Sequence, residues 1–289
     1  MAVGTYALTT LANLKAWLGI TVSTYDSVLE AAIDRSTAII ETYCDRKLVS
    51  RTHREFVMPM GGKTVALDNF PIVSVKTIAF GPAIAFNIES DTGDSDVLAT
   101  VENEGSKLNL VKIASNGTET SVSLAFSSYK TTAALVAYIN ASVSGWTATL
   151  TENAYTFSLY RFGGRGVKNA VCSVEYPKDN ISEYRIDADR SLIHIRSDKF
   201  PHFNSEGRDT NRFPRGFYPL FVEYTAGYAT TPDDLERACI EIAAEMYQAR
   251  YSERGVTSET LGDYTYSKQA QTALAEERSL LLDGYRNIR

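Results

Sequence analysis

The chain has 289 residues, 44% of them hydrophobic and 22% charged, enough to bury one large core or two modest ones. Its three cysteines, Cys44, Cys172 and Cys239, are too few and too scattered for a disulfide scaffold, a zinc ribbon or an iron–sulfur site. Lys and Arg number 29 against 35 Asp and Glu, a formal net charge of −6 that disfavours broad electrostatic capture of nucleic acid, and no apolar run approaches the ~20 residues of a bilayer span.

The opening residues lack the basic and apolar regions of a secretory signal, and an odd cysteine count fits a reducing compartment, so a soluble intracellular protein is expected. Leu11, Leu14 and Leu18 recur at helical spacing, with Thr9 or Thr10 as cap and Gly19 as stop. Ser23 and Asp26 have capping-box spacing ahead of a second helix, whose stripe is Leu29, Ile33, Ser36, Ile40 and Tyr43. Arg46 and Lys47 stand at its C-terminal end, where the helix dipole favours cations.

The period then changes. Residues 52–58, 63–67 and 72–78 read as strands, separated by Gly61-Gly62 and by the turn Asp68-Asn69-Phe70-Pro71. Between about 85 and 171 a separate small α+β unit is expected. It holds short strands at 86–89, 97–101, 107–113, 121–126, 146–150 and 155–160, and a helix opened by Thr131 or Thr132. Asn116-Gly117 is its hairpin signal, and Gly163–Gly166 reads as a flexible linker near its end. Helices return at Thr231-Pro232-Asp233-Asp234, which caps a helix buried through Leu235, Cys239, Ile242 and Met246. A last helix is expected from about 268 to 285. The fold class is therefore α+β: a mainly helical bundle core with a small antiparallel sheet over 1–84 and 172–289, plus an inserted small α+β domain over 85–171.

Catalytic patterns do not rise above background. His53, His194 and His202 are not spaced to act with one another or with a cysteine, Gly163–Gly166 lacks phosphate-loop spacing, and Asp91, Asp94 and Asp96 read as a solvated turn. No catalytic, cofactor-binding or metal-ligating residue is assigned, and no cofactor is expected. Two segments point to protein contacts instead. The long irregular stretch 200–217 sets Phe200, Phe203, Phe213 and Phe217 among Arg208, Arg212 and Arg215. Asp198, Glu206 and Asp209 offset its positive charge, which favours a protein partner over single-stranded nucleic acid. The terminal helix carries Leu274, Leu281, Tyr285 and Ile288 on one side, with nothing after it to cover that stripe.

The order of these features resembles one family. Leu8–Ile20 followed by Ala31-Ala32-Ile33 and Ile40–Cys44, the run Leu67–Val75, the segment Val222-Glu223-Tyr224-Thr225-Ala226-Gly227-Tyr228-Ala229 and the polar link Leu261–Ser267 are similar to the head-to-tail connectors (adaptors) of tailed bacteriophages. The resemblance covers roughly 1–82 and 172–289 and says nothing of the middle. It implies a structural virion protein and no enzyme, made in the bacterial host cytoplasm and placed in the virion neck. It implies a homo-oligomeric ring, a dodecamer, beneath the portal protein. That ring extends the DNA channel, lets double-stranded DNA pass without specific binding, touches no membrane, and offers a platform to a stopper or tail-completion protein. The alternative within the same class is a stopper or tail-completion protein one layer further down. The terminal helix stripe would dock on the portal, and 200–217 would meet a neighbouring subunit or the tail side.

Overall fold

The computed structural model describes residues 2–58, 64–90, 96–180, 184–195, 219–250, 258–261, 264–267 and 279–287. Helix α1 (Leu11–Leu18) begins where the Thr10 hydroxyl accepts from Asn13 N and ends where Gly19 turns left-handed. Helix α2 (Asp26–Cys44) has no side-chain cap. Asp26 instead accepts from Lys15 Nζ at 2.7 Å, tying the two helices together. Leu29, Ile33, Ser36 and Ile40 face inward as their spacing requires, whereas Tyr43 stays 37% exposed.

Strands follow: β1 (Arg51–Val57), β2 (Thr64–Ala66) and the 19-residue β3 (Ile72–Ser90). Then come β4 (Asp96–Asn103), β5 (Lys107–Ala114), β6 (Glu119–Ala125), helix α3 (Thr132–Ser142) capped by Thr131, and β7 (Trp146–Leu150). A 3₁₀ turn at Thr156–Ser158 stands where a strand was expected. The supposed glycine linker is a strand, β8 (Phe162–Gly166). The rest is β9 (Cys172–Asn180), β10 (Tyr184–Asp187), β11 (Leu192–Ile195), β12 (Leu220–Ala226), helix α4 (Asp233–Gln248), and the hairpin β13 (Ser258–Leu261) and β14 (Tyr264–Ser267).

The expected mainly helical core is not what forms. About 40% of the structure is strand against about 28% helix, arranged in several antiparallel sheets. The main sheet has the order β1-β12-β3-β7, with β9 also on β3; a second runs β6-β5-β4-β8, and β10-β11-β2 makes a third. Two of four apolar clusters are sheet-lined. One gathers Phe86, Val101, Leu110, Leu135, Trp146 and Val174, and the other gathers Val65, Ile78, Ile193, Val222 and Tyr224. The helices α1, α2 and α4 enclose the remaining two, around Leu29, Ile33 and Ala243 and around Ile40, Leu48 and Cys239. The physical reason is burial: 172–226 supplies strands that the sheets need, and helical periodicity was visible only at the two ends. Strand β3 runs unbroken through the expected junction at 84/85, pairing with β12 up to Ala79 and with β9 from Ala79 onward.

Gly227 is required where β12 turns towards α4. Its φ is +106°, and a Cβ there would lie 2.7 Å from the Leu48 carbonyl oxygen. Its N–H donates to Pro71 O at 3.0 Å, and Tyr228 N donates to Leu48 O at 2.7 Å, so this turn clasps the exit of α2. Gly227→Ala is expected to cost about 3 kcal/mol, read as a lowered urea midpoint with an unchanged denaturant slope.

Candidate interaction surface

Two places concentrate side-chain chemistry. The first is a buried seam at the end of α2. Arg46 is 5% exposed. Its Nε donates to Tyr285 O at 2.6 Å, Nη1 donates to Phe70 O, and Nη2 reaches Tyr228 Oη at 3.4 Å. Its guanidinium lies 3.6 Å from the centroid of the Phe70 ring, within cation–π range. Next to it, Glu41 is 7% exposed and receives Lys47 Nζ at 2.7 Å, Arg51 Nη2 and the Leu48 N–H. Tyr285 also donates to Asp234 at 2.7 Å, which binds the chain's end to the start of α4.

Under that seam, Asn69 N donates to Tyr224 Oη at 3.2 Å, and Tyr224 in turn donates to Glu55. Burial, with the Asp68 carboxylate close by, pushes Glu55 up to about 7. Burial raises the Tyr224 hydroxyl and lowers His53, whose Nε2 has no partner among the described residues. The three thiols are buried and raised, Cys44 to about 11, so they are held protonated and unreactive. Among the described residues no cluster of three or more His, Cys, Asp or Glu is placed to hold a metal, and no helix is long and apolar enough to cross a membrane.

The second place is a cleft of about 770 Å³ between β1, β8, β9 and the 3₁₀ turn. Phe56, Phe157, Tyr160 and Phe221 form its apolar wall, with ring centroids of 5.3 to 5.8 Å between neighbours. Arg54, Arg161 and Arg165 also line it. Arg54 stacks 3.9 Å over Phe157 while paired to Glu223 at 3.0 Å, and Arg165 stacks 4.5 Å over Phe162. Nothing in the sequence announced this cleft, because its walls come from five segments spread over 54–221. Only the aromatic content of 155–162 beside Arg161 and Arg165 could have pointed to it.

Of the contact residues read from the sequence, Phe200, Phe203, Arg208, Arg212, Phe213, Arg215 and Phe217 lie outside the described residues, as do Leu274 and Ile288. Leu281 and Tyr285 are described. Both are half-buried against the cluster of Leu8, Ile40, Leu48 and Leu282, so they hold a final helical turn, 279–283, on the chain's own core. Leu280 beside them is 75% exposed.

Glu55 links this seam to pH. Its folded pKa lies above the ordinary 4.5, so its contribution is fully present below about pH 4.5 and is lost as pH rises through about 7. Glu55→Gln, which keeps the acceptor without the charge, is expected to raise the melting temperature at pH 8 and leave it nearly unchanged at pH 4.5. Arg46→Ala strands two carbonyls and releases the terminal turn. A loss of about 3 kcal/mol is expected, with Arg46→Lys recovering less than half because one ammonium cannot serve that fork.

Residues 8–82 match the model of a family described as phage gp6-like head-tail connector proteins. Two solved structures are distantly similar over the whole length of this chain. One is a protein in the neck of an empty gene transfer agent particle computed with C6 symmetry, with 14% identity, 95% of that chain covered and a TM-score of 0.42. The other belongs to the virion of a native gene transfer agent particle, with 14% identity, 94% covered and a TM-score of 0.43. No curated protein matches the chain. The resemblance to tailed-phage head-to-tail connectors is therefore borne out by an independent family model, over the stretch that runs from just before α1 to the middle of β3.

Proposed function

We propose that this chain is a structural, non-catalytic component of a virion neck, acting as a head-to-tail adaptor. The observation that carries the reading is the match of 8–82 to the connector family. That stretch contains α1, α2, β1, β2 and the first half of β3, together with Arg46 and Glu41, two buried charged groups held by several hydrogen bonds. A platform protein needs such rigidity, since it transmits load between neighbours and performs no chemistry. Buried thiols held protonated fit that role.

In this reading, copies form a closed ring, a dodecamer, beneath the portal protein. The ring prolongs the channel for double-stranded DNA and presents its far face to a stopper or tail-completion protein. The net charge of −6 suits a wall that must release phosphates. The terminal segment with Leu274, Leu281, Tyr285 and Ile288 docks on the portal, held to its own subunit by Leu281 and Tyr285. The stretch 200–217 meets a neighbouring subunit or the tail side. Residues 85–171 act as an inserted module on the core of 1–84 and 172–289; an apolar cluster drawn almost wholly from that module and β9 supports the division.

The test is particle assembly without this protein. Electron microscopy is expected to show DNA-filled heads that lack tails, restored by supplying the chain. Tailed particles in ordinary number would overturn the reading.

A further inference from the structure

The cleft lies beside an open sheet edge. Strand β8 is an outer strand of the four-stranded sheet, and β6 is the other. Phe162 and Arg165 of β8 line the cleft. Between and after them stand Gly163, Gly164 and Gly166, all exposed. None of the three has a left-handed backbone, and a Cβ on any of them would meet nothing within 4 Å. Gly163 and Gly164 form a bulge opposite Glu102 of β4, where the register between Val101–Arg165 and Asn103–Phe162 shifts by one residue. Their missing side chains also leave open space beside the strand, into which another backbone can come close.

Charge says what approaches. Arg161 makes no ion pair among the described residues and sits at the cleft with Arg54 and Arg165 on a chain of net charge −6. The opposite edge, β6, carries Glu119 and no Lys or Arg, and its residues 119–121 and 123 are exposed. The bulge and Arg165 blunt β8 only in part, and β6 carries neither lysine nor proline. We propose that the cleft and the β8 edge of one copy receive the β5–β6 hairpin of a second copy. The β6 edge then extends the sheet and Glu119 meets the arginines. Because the two edges differ, the contact is head-to-tail and propagates until it closes. The inference rests on the ring reading above and assigns it one interface.

The experiment is sedimentation of the full chain with Gly164→Pro on β8 or Ser121→Pro on β6. The wild type is expected to self-associate, and each variant alone to associate at least about tenfold more weakly. An equimolar mixture of the two retains one intact edge of each kind and is expected to give dimers and nothing larger. Near-UV circular dichroism checks that both variants fold, and the surface pair Arg161→Glu and Glu119→Arg repeats the test without proline. Variants that assemble like the wild type, or a mixture that stays monomeric, overturn the edge assignment and leave the ring reading standing. A wild-type chain that is monomeric at every concentration overturns self-assembly itself.

Discussion

Arg46 is the fastening on which the helical half of the molecule depends. A buried cation normally requires a carboxylate, yet this one is satisfied by two carbonyl oxygens and the faces of Phe70 and Tyr228. Its position explains how that suffices. It directly follows the left-handed cap Asp45 at the C-terminal end of α2, where the helix dipole adds negative potential. A planar fork with five donors can serve three segments at once, so the exit of α2, the turn before β3 and the final residues share one anchor.

The long strand β3 joins the two halves. Its first part is covered by the cluster of Ile72, Ile78, Val222 and Tyr224, and its last part by that of Phe86, Ile88, Val101 and Leu135. Strand β9 pairs along it from Ala79 to Ile88, and β7 pairs with its far end. The apolar contacts along β3 separate into these two clusters. The main-chain ladder does not divide there, because one uninterrupted strand belongs to both.

What was legible in the sequence was local. Thr10 and Gly19 bounded α1 as their chemistry dictates, Thr131 capped α3, and Asn116-Gly117 made the β5–β6 turn with Gly117 at φ +80°. Pairings between distant segments were not legible. The strands at 172–195 carry weak alternation, with Pro177 inside β9, so nothing in their spacing announces that they line two cores. Asp26 fits a capping box by spacing, but the nearby Lys15 ammonium takes its carboxylate. Arg46 looked only like a helix-dipole partner because its acceptors, 24 to 239 residues away, have no sequence signal. The glycines of β8 misled for the same reason: a strand with three glycines in five residues shows no period, and only its partner β4 makes it a strand.

The buried carboxylates show what such polar fastenings are for. Replacing a buried ion pair with apolar side chains of equal volume is commonly neutral for stability, so burial of Glu223 is not explained by energy alone. Register explains it. Arg54 lies directly opposite Glu223 on β1, and on the other side Thr77 is its partner, with a shift in register just after it that leaves Lys76 as the extra residue. That bulge brings the Lys76 ammonium to 3.3 Å from the carboxylate that Arg54 already holds at 3.0 Å. Sliding either neighbour by one residue would bury Glu223 without partners, at a cost of several kcal/mol. The apolar residues of β12 would tolerate such a slip far better, since Leu220, Phe221 and Val222 are all buried. The charge therefore selects one pairing among several that hydrophobic contact alone would accept.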